Sequence, residues 1–144
     1  MFNDDIIDID SVVATFNFRV SEENIHMDLT TLPSAIFNAG QLVANTRQSL
    51  DDLKRQLSVL ESTHDSAIRN NPLKYEIAKI TEGAVTATID KLADVQALRE
   101  KIIRAKHAND VAYAAVSALT DKRKSLESLV QLKSIGYYAA RNVA

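Results

Sequence analysis

The sequence predicts an all-α protein: a long antiparallel helical hairpin with coiled-coil packing that assembles into an oligomeric helical bundle or ring, preceded by a short irregular N-terminal segment. An apolar repeat with a period of 3.5 residues runs from about residue 92 to 135, and a similar repeat runs from 32 to 68. This period keeps one face of a helix against a partner helix over many turns. An Asn-Asn-Pro break at residues 70–72 separates the two repeats and lets the second helix fold back on the first.

The second long helix carries the more regular repeat, in which nine of eleven positions are apolar. Asn109 and Arg123 are the two exceptions. An Asn at such a position lowers stability but selects register and subunit number, because it needs a hydrogen-bonding group opposite it. The alternative is that Asn109 rotates to the edge of a wide interface. The repeat consists of Val95, Leu98, Ile102, Ala105, Asn109, Ala112, Val116, Leu119, Arg123, Leu126 and Val130.

The first long helix is predicted from Leu32 to Ile68. Thr30 or Thr31 would cap its N-terminus, and Pro33 would lie in the first turn, where a missing N–H donor has no cost. The preceding residues form the predicted acidic N-terminal segment, 1–31, and the helical body is 32–144. The repeat of this helix consists of Ile36, Ala39, Val43, Thr46, Leu50, Leu53, Leu57, Leu60, His64 and Ala67.

Within the N-terminal segment, residues 1–14 predict a short helix capped by Asp4 or Asp5. Residues 15–20 alternate in polarity and are rich in β-forming residues, which predicts an extended segment or one short strand. A lone strand must lie on the helical body or on a neighbouring subunit.

The connector between the long helices, residues 70–80, is predicted to be irregular. A short helix should then run from Glu82 to Ile89, with Thr81 as its N-cap. Gly136 is the expected C-cap of the second long helix. The remaining tail, 137–144, is predicted to be partly disordered.

Charge is distributed unevenly along the chain, although the net charge is only −2. Residues 1–32 contain seven carboxylates and one arginine, a net of −6, so residues 33–144 carry +4. A mildly basic helical body allows an anionic ligand, and the acidic segment can compete with that ligand. The alternative is that the acidic segment only increases solubility.

Several classes of function are disfavoured by composition. The chain has no Cys, and its three Gly form no phosphate-binding loop. His26, His64 and His107 are dispersed without metal-ligand spacing, and Asp51 and Asp52 are expected to be surface charge. We therefore expect no enzyme activity, no metal and no cofactor. No apolar run is long enough to span a membrane, and the acidic N-terminus is unlike a signal peptide, so a cytoplasmic protein is expected.

The order of these features resembles the phage recombination mediator proteins of the UvsY type. The resemblance covers residues 28–140: Asp-Leu-Thr-Thr-Leu at 28–32, the helix from Leu50 to Ile68, and the helix from Val95 through 121–126 (Asp-Lys-Arg-Lys-Ser-Leu) to Tyr137. It implies an all-α fold, rings of six or seven subunits and binding of single-stranded DNA. It also implies a role in loading a recombinase onto strands covered by single-strand-binding protein, in the cytoplasm of the host cell if the protein is phage-encoded.

The resemblance also suggests where DNA binds, because the family carries a basic cluster late in the first long helix. Here the cations at comparable places are Lys54, Arg55 and Arg69, separated by the acidic stretch 61–65. Lys74 and Tyr75 in the connector place an aromatic ring beside a cation, and Tyr75, Tyr137 and Tyr138 can stack on bases. The alternative for each cation is a solvated helix face, and for each tyrosine an ordinary aromatic at a helix end.

The predicted oligomer interface follows the two apolar repeats. Its residues are Leu53, Leu57, Leu60, Leu98, Ile102, Asn109, Val116, Leu119 and Leu126. A second hypothesis explains these repeats equally well: a structural or assembly coiled coil, such as a phage scaffold or adaptor, that binds no nucleic acid.

Overall fold

The computed structural model describes residues 8–136, and all its regular elements are helices. The predictions for Asp4, Asp5, Tyr137, Tyr138 and the rest of the tail lie outside these residues. The elements are α1 (Ile9–Val13), α2 (Ile25–Asn70), a 3₁₀ turn (Pro72–Tyr75), α3 (Glu82–Asp90) and α4 (Ala93–Ser134). The predicted all-α class, the two long helices and the short helix between them are confirmed.

Helix α2 begins at Ile25, seven residues before the predicted start. Pro33 therefore lies inside the helix and not in its first turn. The predicted boundary between the N-terminal segment and the helical body, at residues 31 and 32, also falls within this helix. The predicted Thr30 or Thr31 cap is wrong. The Thr30 hydroxyl instead donates back to the His26 carbonyl at 2.7 Å, a bond that is compatible with a continuing helix. Ile25 and Leu32 are both buried in one cluster. Burial of this extra apolar turn outweighs the hydrogen bond that proline cannot make.

The N-terminal segment contains α1, whose N-cap Asp8 accepts from the Ser11 backbone N–H. Of the two alternatives for residues 15–20 the strand is wrong, because no strand forms anywhere in residues 8–136, and residues 17–20 have no regular secondary structure. The expectation that this stretch lies on the helical body is confirmed. Phe16 and Phe18, with ring centroids 6.2 Å apart, pack against a cluster that includes residues of α2 and α4. Side-chain burial, not strand pairing, holds the segment.

Local capping signals place the other helix ends where they were expected. The Thr81 hydroxyl accepts from the Ala84 N–H at 3.1 Å and caps α3. Helix α4 ends at Ser134 and is followed by Gly136, which has a φ of +76°, a left-handed conformation that glycine adopts without steric cost. In the connector, Glu76 takes the same left-handed region with a φ of +58°.

The chain forms two compact units, and in each a part of α2 packs antiparallel against a part of α4. The first unit contains residues 1–44 and 108–144, and the second contains residues 45–107. The core of the first is Ile25, Leu32, Ala39, Leu119 and Leu126. The core of the second is Ile68, Ile77, Val85, Ile89 and Val95.

The apolar repeat of α4 is buried as predicted at Leu119 and Leu126, but the buried position between them comes three residues after Leu119 and not four. Lys122 is buried, whereas Arg123, the predicted position, is exposed. At the end of α2, Ile68 is buried in place of the predicted Ala67. An ideal α-helix has 3.6 residues per turn, so its buried face moves by about 20° per heptad relative to a strict 3.5-residue repeat.

Asn109 finds its hydrogen-bonding group within the same chain. Its side chain is buried, and Nδ2 donates to the Val43 carbonyl at 3.2 Å. This contact fixes the register of the two helices in the first unit, so the predicted selection of register operates inside one chain. A role in selecting the number of subunits stays a prediction.

Candidate nucleic-acid interface

Positive charge is concentrated in the second compact unit, which contains all five residues predicted to bind nucleic acid. Residues 45–107 carry eleven Lys and Arg against nine Asp and Glu, a net of +2. The first unit carries six cations against ten carboxylates, a net of −4. Any attraction for a polyanion is therefore strongest at the second unit, since net charge determines the long-range field.

Lys54 and Arg55 are exposed in the middle of α2. Lys54 forms no ion pair with any residue in 8–136. Arg55 donates from Nη2 to Asp52 Oδ1 at 2.8 Å, and its side chain is 76% exposed. An exposed pair three residues apart on a helix contributes little to stability, so Arg55 can exchange this carboxylate for a phosphate.

Arg69, in the last turn of α2, is held between two carboxylates. Its Nε lies 2.7 Å from Asp65 Oδ1, and its Nη2 lies 2.7 Å from Glu82 Oε1. The hydrogen bonds from Asp65 and then Glu82 raise the pKa of the guanidinium above its usual range. Because Glu82 begins α3, Arg69 ties the start of α3 to the end of α2. A phosphate would have to displace these carboxylates to reach it.

The 3₁₀ turn places Lys74 beside the ring of Tyr75, with Nζ 5.9 Å from the ring centroid. Lys74 is exposed, but Tyr75 is half-buried and packs against the core of the second unit. Part of the ring surface is therefore buried in the contact with this core. Only the remaining part is available to stack on a base, whereas Lys74 is fully available to a phosphate.

Arg99 is a structural cation that the sequence patterns did not single out. Its Nη2 lies 3.0 Å from Glu61 Oε1 and 2.8 Å from Asp90 Oδ1. The hydrogen bonds from Glu61 and then Asp90 raise the pKa of Arg99. Leu60 and Leu98 are positions of the two apolar repeats, and Glu61 and Arg99 are the residues that directly follow them. These following residues lie at the edge of the contact between α2 and α4. A cleft at this edge is lined by Glu61, Ser62, Asp65, Ser66, Thr86, Ile89, Asp90 and Arg99.

His64 bridges the two long helices within the second unit. Its Nε2 lies 2.7 Å from Asp94 Oδ2, and this hydrogen bond is the main cause of a lowered pKa at Asp94. The imidazole of His64 therefore has a polar partner within the fold. Residues 8–136 contain no group of three or more His, Asp or Glu side chains placed to hold a metal ion.

The residues predicted to form an oligomer interface lie along the contact between α2 and α4 in each unit. In the first unit Leu119 and Leu126 are fully buried, Asn109 is nearly so and Val116 is half-buried. These side chains therefore already have intrachain partners. In the second unit the predicted residues are only half-buried, namely Leu53, Leu57, Leu60, Leu98 and Ile102.

Comparisons with protein-family models, curated proteins and solved structures find no match for this chain. The resemblance to the UvsY-type mediators thus stays a prediction. Within residues 8–136, none of the helices combines the length and the apolar character needed to cross a membrane.

Proposed function

We propose that this protein is a non-catalytic recombination mediator. It binds single-stranded DNA as a homo-oligomer of six or seven subunits and helps load a recombinase onto strands covered by single-strand-binding protein. The observation that supports DNA binding is the excess of cations in residues 45–107, including the exposed and unpaired Lys54. The recombination role rests on the sequence resemblance.

Binding would depend on phosphate neutralisation. Each Lys or Arg that meets a phosphate releases condensed counterions, so the logarithm of affinity falls with the logarithm of salt by about 0.7 per contact for a single strand. One unit with a net charge of +2 is a weak attractor. In an oligomer the same cations recur on every subunit, so one strand meets them repeatedly. Phosphate contacts hold a strand without reading its bases, so binding should tolerate any sequence.

The first experiment measures binding of a fluorescent oligonucleotide at several salt concentrations. We expect the wild type to bind, with an affinity that falls steeply as salt rises. Lys54→Glu combined with Arg55→Glu should weaken binding at least about tenfold and flatten the salt dependence, because each subunit loses two phosphate contacts.

The matched control is Lys124→Glu combined with Lys133→Glu, which makes the same change in net charge. Both lysines are exposed on α4 in the acidic unit. Lys122 is unsuitable for a control because it is buried. If the control pair weakens binding and the Lys54–Arg55 pair does not, DNA runs along the C-terminal part of α4. If the wild type binds no oligonucleotide at low salt, the proposal is wrong.

The mediator role needs its own measurement. The protein should shorten the lag with which a recombinase assembles on DNA that is already covered by single-strand-binding protein, and it should have no such effect on bare DNA. The Lys54→Glu, Arg55→Glu variant should lose this stimulation in proportion to its loss of affinity. If the protein binds DNA but stimulates no recombinase, the mediator role is excluded and only the DNA-binding part of the proposal stands.

A second candidate is an assembly coiled coil that binds no nucleic acid. It is favoured by the way Arg69 and Arg99 are each bridged by two carboxylates, which is expected where cations serve only the fold. Large exposed apolar side chains also suit an assembly surface, among them Phe37, Val59, Leu73 and Ile103. Absence of DNA binding at low salt together with a stable oligomer would establish this candidate.

A further inference from the structure

The ion pair between Glu61 and Arg99 identifies the residues that face each other one heptad further along the same edge. In an antiparallel pair, a step of seven residues back along α2 and seven forward along α4 moves both positions the same way, by about 10 Å. Each step also returns to nearly the same face of its helix, within about 20°. Applied to Glu61 and Arg99, this step leads to Lys54 and Lys106.

The repeats give the same correspondence. Glu61 and Arg99 directly follow the repeat positions Leu60 and Leu98. Lys54 and Lys106 directly follow the repeat positions Leu53 and Ala105. An edge that holds a complementary pair at one heptad thus holds two cations at the next. All four charged residues belong to the second compact unit.

Neither lysine is neutralised within the described chain. Both are exposed, and neither forms an ion pair with any residue in 8–136. The acids that share a helix face with these lysines are Asp51, three residues before Lys54, and Asp110, four residues after Lys106, and neither forms an ion pair with its lysine in the described chain. Two like charges that face each other across a helical pair repel, and this repulsion becomes attraction once an anion lies between them.

We propose that Lys54 and Lys106 together form a phosphate clamp across the α2–α4 edge, in which one phosphate of the DNA backbone binds between two ammonium groups. The inference rests on the proposed function and adds to it a binding residue on the second long helix. Lysines suit such a site because an ammonium is a compact charge with three rotatable donors, so two of them can hydrogen-bond one phosphate from opposite sides. The clamp also explains why a repulsive pair persists at an edge where a carboxylate would stabilise the hairpin.

The first test measures the apposition without DNA, as melting temperatures at one protein concentration in low salt. In Lys54→Glu or Lys106→Glu alone, a carboxylate faces a lysine, so either single variant should melt about 1–3 °C above the wild type. In the double variant two carboxylates face each other, so its melting temperature should fall well below the sum of the single effects. Additive effects would show that the side chains are not apposed and would overturn the clamp.

The second test measures binding of a labelled single strand to the same variants, with Lys133→Glu as the control for net charge on α4. Lys106→Glu should weaken binding about tenfold and lower the salt slope by about 0.7 for each subunit in contact, as Lys54→Glu does. The double variant should lose no more than about one further contact. Lys133→Glu should bind like the wild type.

Three binding results would also count against the inference, and they are distinguishable. If Lys106→Glu binds single-stranded DNA as tightly as the control Lys133→Glu, while Lys54→Glu binds it more weakly, the clamp is overturned and the proposed function stays intact. If Lys106→Glu binds heparin as tightly as the wild type does, and also binds single-stranded DNA as tightly as the wild type does, the clamp is likewise overturned. A wild type that binds no oligonucleotide at low salt rejects the proposed function and the clamp together.

Discussion

Lys122, the first of three consecutive cations at residues 122–124, lies in the core of the first compact unit. Its Nζ donates to the Asn17 carbonyl at 2.9 Å and lies 3.5 Å from Asp28 Oδ2, with the two side chains only 3% and 12% exposed. A buried ammonium requires such partners, because removing a charge from water costs several kcal/mol. The contact with Asn17 also holds the irregular N-terminal segment against α4.

Replacing Lys122 by Met should therefore destabilise the protein by about 3 kcal/mol, because the Asp28 carboxylate remains buried without its cation. Urea denaturation followed by circular dichroism measures this loss. Lys124→Met, three residues from its exposed partner Asp121, should change stability by less than about 0.5 kcal/mol.

A second variant distinguishes loss of the ion pair from loss of packing. Asp28→Leu added to Lys122→Met removes both charges and should recover most of the lost stability, since apolar side chains of similar volume replace a buried pair well. A double variant as unstable as Lys122→Met would show that the charges themselves are not the cause.

At the scale of elements, α2 and α4 are tied in the second unit by polar contacts as well as by their apolar repeats. Asp94, in the first turn of α4, accepts from His64 of α2 and from the Val95 N–H. The hydrogen bond with His64 is the main reason that the pKa of Asp94 is lowered in the folded protein. A carboxylate with a depressed folded pKa stabilises the fold above its unfolded pKa and loses that contribution as pH falls through the folded value.

Asp94→Asn should therefore lower the melting temperature near neutral pH but not at strongly acidic pH. The two melting curves should converge as pH falls below about 3.9, the ordinary pKa of an Asp side chain. Thermal denaturation between pH 2 and 7 measures this difference. Asp110→Asn, an exposed position on the same helix, is the control. A constant difference between wild type and Asp94→Asn across this range would contradict the role of ionisation.

At the scale of the whole molecule, large apolar side chains remain exposed on both long helices. Phe37 is 65% exposed and Ile103 is 69% exposed. Exposed apolar side chains of this size mark contacts with other chains when they form contiguous patches. We expect a stable oligomer because association would bury these side chains and the half-buried leucines of the second unit.

Light scattering at micromolar concentration should thus give a mass that is a multiple of the 15.9 kDa chain. Phe37→Glu should reduce that mass or make it depend on concentration, because it introduces a charge into an apolar contact. Ser49→Glu, at an exposed polar position about 120° around the same helix from Phe37, should leave the mass unchanged. A wild-type mass of 15.9 kDa would contradict the oligomer.

Much of the helical architecture could be predicted from residue spacing. The period of the apolar repeats, the Asn-Asn-Pro break and the Thr81 and Gly136 caps are local features, and each acts within a few residues of the backbone it affects. They predicted the two long helices, the short helix and their ends, except the start of α2. That start was wrong because local cap chemistry at Thr30 and Thr31 favoured a later beginning, and burial of Ile25 against distant residues overrode it.

The candidate site depended much more on tertiary structure. Whether a cation is free, paired or buried is decided by residues far away in sequence: Arg99 meets Glu61 across 38 positions, and Lys122 meets Asn17 across 105. Local residue patterns were enough to locate the helices, apart from the start of α2, because hydrogen bonding and apolar periodicity operate over one or two turns. The pairing of Arg99, in contrast with the unpaired Lys54, followed only from the fold, because the ion pair with Glu61 requires the register between α2 and α4 that packing of the cores sets.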